Sequence, residues 1–145
     1  MAAAGQGAGG RTVASAMGDV LVVEDDAGTR DLLQTILEEA GYGVRTAHDG
    51  AEALERIREA SPAVILLDLF MPVLNGWAFL AAYEHTPAPR APVVVMSVDV
   101  DTARKAPADA WLEKPFGVSD LLSVVRRLAD AASPVGDSGQ SSRSN

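Results

Sequence analysis

Ala63-Val-Ile-Leu-Leu67 is an unbroken apolar run, and a carboxylate, Asp68, follows it at once. A strand with one face in water would alternate apolar and polar residues. An unbroken run instead suits a strand covered on both faces, as in a parallel sheet clad by helices. A second such run, Val20-Leu-Val-Val23, also ends in acids: Glu24, Asp25 and Asp26. Val93-Val-Val-Met96 ends in Ser97, and Ala110 to Glu113 ends in Lys114-Pro115.

The segments between these runs have helical period. Thr29 to Ala40 places Leu32, Leu33, Ile36, Leu37 and Ala40 on one face, with Asp26 as a cap and Gly41 as the stop. Val44 to His48 is a weaker strand. Asp49 caps a helix from Gly50 to Ala60 that buries Ala53, Leu54 and Ile57, and Ser61-Pro62 ends it. Asn75 caps a third helix running to His85, and a Pro-rich stretch (Pro87, Pro89, Pro92) leads into the next strand. A last helix from about Ser119 to Ala132 turns Leu121, Leu122, Val125 and Leu128 inward. Strand and helix alternate five times, which predicts a parallel sheet with helices on both faces and ligands beyond the carboxyl ends of the strands.

One connection is short. Twelve residues separate Ser97 from Ala110, and Pro107 interrupts them. After two loops, about 4–8 residues remain for a helix. The fourth helix is therefore expected to be truncated or irregular, which puts any output surface or dimer contact built on it in question.

The bulk composition narrows the function. The 145 residues allow one domain, expected over 19–132, between disordered tails at 1–18 and 133–145 rich in Gly, Ser, Ala or Pro. With only 5% aromatic residues, the core must be aliphatic. The absence of cysteine excludes disulfides, thiolate zinc sites and cysteine nucleophiles. A net charge of −8, with no Lys/Arg cluster beyond the helix-end pair Arg126-Arg127, argues against nucleic acid and anionic membrane as partners. No apolar run approaches membrane-spanning length, and Met1 to Gly18 has no secretory character, so a cytoplasmic location is expected.

The sheet edge thus gathers carboxylates, a hydroxyl and a lysine from four strands. Carboxylates with no arginine nearby repel one another unless a cation neutralises them. Oxygen-only ligands suit a hard ion such as Mg²⁺. Asp68, on the central run, is the natural carboxylate nucleophile for an aspartyl-phosphate. Mg²⁺ would bridge Glu24, Asp25, Asp68 and a phosphoryl oxygen, while Lys114 and Ser97 would meet the other two oxygens. Taken singly, Asp25 and Asp26 read as capping acids, Lys114 as a surface lysine and Ser97 as a polar strand end. Their convergence favours a site. Trp77 reads as structural, and His48 and His85 lack partners at metal-ligand spacing.

Val20-Leu-Val-Val-Glu-Asp-Asp26, Leu66-Leu-Asp-Leu-Phe-Met-Pro72 with Gly76, Val94-Val-Met-Ser97 and Glu113-Lys-Pro-Phe116 resemble the signature segments of the response-regulator receiver family. The resemblance spans about residues 19–132 and implies a flavodoxin-like, doubly wound five-stranded α/β fold. It implies Mg²⁺-dependent phosphorylation of Asp68 by a histidine kinase or histidine phosphotransfer protein, with a cation held by Glu24, Asp25, Asp68 and the Phe70 backbone carbonyl. Beyond self-phosphorylation and slow self-dephosphorylation it implies no enzyme activity. Ser97 and Trp111 fall at the family's switch positions, where phosphorylation is read out as a shift between two packings. The sequence suggests a stand-alone regulator without a DNA-binding domain, monomeric or weakly dimeric, acting on a protein target.

Two departures concern kinetics. Phe70 stands where a polar residue often places the attacking water, and Val98 where a smaller residue is common. A degenerate receiver that binds partners without phosphorylation is the alternative. The intact Glu24, Asp25, Asp68, Ser97 and Lys114 argue against it. An aspartate-nucleophile phosphatase would need a second acid at the position of Phe70. A dinucleotide-binding enzyme would need glycines where Glu24-Asp-Asp-Ala27 stands.

Overall fold

A computed structural model of the chain describes residues 18–71, 75–87 and 90–132. The expected tails lie, apart from Gly18, outside the described residues. So do Pro72 and Pro89.

Five strands, β1 (Asp19–Val23), β2 (Gly43–Ala47), β3 (Val64–Asp68), β4 (Val93–Ser97) and β5 (Ala110–Glu113), form one all-parallel sheet in the order β2-β1-β3-β4-β5. The connecting helices are α1 (Ala27–Glu39), α2 (Gly50–Glu59), α3 (Gly76–Glu84), α4 (Val100–Ala103) and α5 (Val118–Ala132). β1, β3 and β4 are interior to the sheet, and the unbroken apolar runs fall on them for that reason: every residue of β3 and β4 is buried.

Alternate residues of each strand feed two separate cores. Leu21, Val23, Ile65, Leu67, Val93 and Val95 pack with Ala53 of α2, Phe79 and Leu80 of α3 and Ala103 of α4. Val20, Val22, Val64, Leu66, Val94 and Met96 pack with Leu33 and Leu37 of α1 and Leu121 and Val125 of α5. The sheet is therefore covered on both faces, as doubly wound topology requires.

The helix starts follow their caps. Asp26, Asp49, Asn75 and Asp99 each accept from the backbone N–H three residues on, which satisfies a donor that the helix itself leaves unpaired. Beyond α1, Gly41 adopts φ +104°, where a side chain would be strained. α4 is indeed short, with four residues, and only Ala103 of it is buried. One expected core position differs: Leu32 is exposed. Leu33 and Leu37, one turn apart, centre the buried stripe of α1, while Ile36 and Ala40 flank it, leaving Leu32 beyond its edge.

Candidate functional site

The carboxyl ends of β1, β3, β4 and β5 lie side by side, and their register sets the site. Val23 is level with Leu67, Asp68 with Met96, and Ser97 with Glu113. Glu24, Asp68, Ser97 and Lys114 thus emerge close together. Past β5 the ladder continues for one more bond, from Lys114 N–H to the carbonyl of Ser97 at 2.8 Å.

Carboxylate oxygens of Glu24, Asp25 and Asp68 all lie within 4.8 Å of one another. Glu24 is 2% exposed and Asp68 6%, whereas Asp25 is open to solvent. Lys114 Nζ donates to Glu24 Oε1 at 3.0 Å and approaches Asp68 Oδ2 at 3.7 Å. Asp26 N–H donates to Glu24 Oε2 at 3.2 Å, and Phe70 N–H to Asp68 Oδ1 at 3.2 Å.

One ammonium does not offset this much buried negative charge. Burial, then the Glu24 carboxylate, push the Asp68 carboxyl up to about 7, against the opposing pull of Lys114 and the Phe70 N–H. A divalent cation would relieve both causes. Three converging carboxylates without nitrogen or sulfur donors match the preferences of a hard ion, so the residues present fit Mg²⁺.

Ser97 is buried, and its Oγ accepts from Asp99 N–H at 3.1 Å. Among the described residues its hydroxyl hydrogen meets no acceptor. Trp111, level with Val95 on β5, packs half-buried against the α2–α3–α4 side. Its Nε1 is buried with no hydrogen-bond partner among the described residues. Phe70 and Val98 are 55% and 69% exposed at the mouths of the loops after β3 and β4. Trp77 packs at the edge of the core, as a structural residue does. His48 is less isolated than its spacing suggests, because its ring lies against the carboxylates of Glu52 and Asp49. His85 is exposed at the C-cap of α3.

Two contributors are not evident from residue type. Gly76 lies against the backbone that leaves β3. A Cβ there would fall 2.7 Å from Leu69 Cα and 2.9 Å from the Asp68 carbonyl oxygen. Its proximity to the signature segment was the signal available in the sequence. Arg30 of α1 reaches back to the carbonyls of Glu24 and Asp25. The cluster therefore does have an arginine beside it, bound to its backbone rather than to its carboxylates.

The family model for the response regulator receiver domain matches residues 20–126. The chain belongs to the response regulator receiver family. Among curated relatives, the response regulator MprA of Mycobacterium avium (strain 104) is 34% identical over 123 residues, covering 81% of this chain and 54% of that protein. The receiver thus spans about half the length of the curated relatives it matches. Among solved structures, the signal receiver domain of a signal transduction histidine kinase from Syntrophus aciditrophicus superimposes with a TM-score of 0.75 at 29% identity. That match covers 81% of this chain and 93% of the other. The Vibrio cholerae chemotaxis protein CheY4 gives 0.67 at 33% identity, over 78% and 99% of the two chains. The flavodoxin-like α/β expectation holds, as does the assignment to two-component signalling.

Proposed function

We propose that this receiver is a working phospho-acceptor, cytoplasmic and monomeric or weakly dimeric, switched when Asp68 takes a phosphoryl group from a histidine kinase or histidine phosphotransfer protein. The receiver domain is taken as 19–132. The observation that carries the proposal is the convergence of the Glu24, Asp25 and Asp68 carboxylates, with Lys114 Nζ 3.7 Å from Asp68 Oδ2.

In transfer, an Asp68 carboxylate oxygen attacks phosphorus as the bond from phosphorus to the donor's imidazole nitrogen breaks, and the imidazole leaves with that electron pair. Glu24, Asp25, Asp68 and the Phe70 carbonyl would hold Mg²⁺, which when bound supplies charge neutralisation for the phosphoryl oxygens. Lys114, freed from Glu24, pairs with one phosphoryl oxygen as a point charge, and the Ser97 hydroxyl donates to another. That pull on Ser97, next to β5, biases the packing of Trp111 and the short α4 segment. A protein target then reads the biased state by preferring it.

Intact mass after incubation with acetyl phosphate and Mg²⁺ tests the reading. One added phosphoryl group is expected, absent in Asp68→Asn and absent in chelator. A folded protein that gains nothing would instead be a binding module independent of phosphorylation. The Phe70 side chain cannot hydrogen-bond an attacking water, so the phospho-form is expected to be long-lived. Phe70→Asn should speed loss of the phosphoryl group severalfold; an unchanged decay rate would remove Phe70 from the account.

A further inference from the structure

Arg30 lies one turn into α1, and its guanidinium folds back over the end of β1. Nη1 donates to the carbonyl oxygen of Glu24 at 2.8 Å and to that of Asp25 at 3.3 Å. Its own backbone N–H bonds the carbonyl of Asp26 at 2.9 Å. One residue therefore holds three successive carbonyls. Upstream, Glu24 N–H to the Ala47 carbonyl, at 3.0 Å, still ties the strand end to β2. Beyond that bond, the direction in which Glu24 and Asp25 project depends on the peptide planes that Arg30 engages.

These planes matter because Glu24 and Asp25 supply two of the three carboxylates gathered within 4.8 Å. Glu24 is anchored at both oxygens, by Lys114 and by the Asp26 N–H. Among the described residues the exposed Asp25 has no such anchor, and its orientation rests on its backbone. We propose that Arg30 is a positioning residue for the cation site: its Nη1 ties the Glu24 and Asp25 carbonyls together and aims both carboxylates at the same point as Asp68. The inference rests on the receiver reading above.

Charge and positioning act in opposite directions here, so the sign of an experiment separates them. A guanidinium beside a cation site repels the cation. If Arg30 acted through charge alone, neutralising it would tighten Mg²⁺ binding. If it acts by holding the backbone, neutralising it loosens the ligand set and weakens binding, as loss of groups that orient metal ligands does. Lysine keeps the charge, but its ammonium is a flexible point charge, whereas the planar guanidinium fixes the direction from which Nη1 meets both carbonyls.

The test is titration calorimetry of the full chain with Mg²⁺, alongside thermal unfolding in chelator, for wild type, Arg30→Gln, Arg30→Lys and Asp68→Asn. Arg45→Gln is the control. Arg45 also binds backbone carbonyls, those of Arg56 and Ala60 at 2.7 and 2.6 Å, but from the middle of β2 and with Asp19 as its carboxylate partner. Arg30→Gln is expected to weaken Mg²⁺ binding about tenfold or more, Arg30→Lys to recover only part of that loss, and Arg45→Gln to cost stability without changing Mg²⁺ affinity. Unchanged or tighter binding by Arg30→Gln overturns the proposal, as does full recovery by lysine or an equal loss in Arg45→Gln. Should Arg30→Gln fail to fold, Arg30→Lys against wild type carries the same decision. Mg²⁺ binding by wild type that is lost in Asp68→Asn yet indifferent to Arg30 sinks this inference alone. A wild type that does not bind Mg²⁺ sinks it together with the receiver reading.

Discussion

The first and fourth crossovers begin in the same way and end differently. After β1 comes Asp26-Ala-Gly-Thr29, and after β4 comes Asp99-Val-Asp-Thr102. In both, the aspartate accepts from the threonine N–H, at 2.8 and 3.2 Å, and from the threonine hydroxyl, at 2.7 and 2.6 Å. Yet α1 runs for 13 residues and α4 for four. The residues beyond the cap make the difference. α1 continues into Leu33 and Leu37, both buried against the sheet. α4 continues into Arg104, Lys105 and Ala106 and meets Pro107. A cap starts a helix, but a buried apolar stripe sustains it, because isolated turns are not stable alone.

The largest test of that contrast removes what each helix buries. Leu37 is fully buried in the α1–α5 core, and Leu37→Ala should cost about 3 kcal/mol in urea denaturation. Ala103 is the only buried residue of α4, and Ala103→Gly should cost about 1 kcal/mol, mostly through helix propensity. Equal losses would mean that the short segment carries more of the fold than its burial indicates.

The second test contrasts the two cap acids with the acid between them on the sheet edge. Asp26 and Asp99 are held below the ordinary aspartate range, first by the Thr29 and Thr102 hydroxyls and then by the matching N–H groups. Their stabilisation is present above the unfolded value of 3.8 and is lost as pH falls through the lower folded values. Asp68 has the opposite sign. With its pKa raised from 3.8 to about 7, the folded metal-free protein keeps a proton between those values that the unfolded chain releases. Stability in chelator should therefore decline as pH rises from 4 to 7. Asp68→Asn should flatten that decline and raise stability at neutral pH by on the order of 2 kcal/mol. Wild-type and Asp68→Asn unfolding curves that stay parallel across the window would mean that Asp68 is an ordinary, fully ionised aspartate.

The same pair of crossovers indicates what the sequence makes legible. Caps read well, because Asp26, Asp49 and Asn75 act through their own side chains on N–H groups three residues away. The ends of β1, β3 and β4 read within a residue, because burial on both faces leaves an unbroken apolar run. The short α4 is legible by counting the twelve residues between Ser97 and Ala110. The acids and the lysine were legible because parallel topology brings strand ends together. Arg30 was not, since it binds backbone carbonyls, which every residue carries and no pattern marks. Leu32 misled because periodicity locates the centre of a buried stripe more surely than its edge. Gly76 hid its close approach to Asp68 and Leu69, which depends on how the chain returns after β3.

The smallest effect sharpens the comparison most finely. Asp26→Ala and Asp99→Ala remove the same bonds from the two crossovers, and both should be measured in chelator so that metal binding does not enter. Asp26 starts a helix anchored in the core by Leu33 and Leu37, so loss of its cap is felt by the whole cooperative unit and should lower the unfolding temperature by a few degrees. Asp99 starts a helix with little else to hold it. Its loss should hardly move global unfolding, yet it should let the segment open locally. Amide exchange at Ala103 and Arg104, whose N–H groups bond the carbonyls of Asp99 and Val100 at 2.9 Å, is then expected to quicken severalfold while the amides of α1 stay protected. If Asp99→Ala instead lowers the unfolding temperature as much as Asp26→Ala, the fourth crossover is part of the same cooperative unit as the first. The short helix would then be unable to change its packing independently, and the switch proposed for Ser97 and Trp111 would need another moving part.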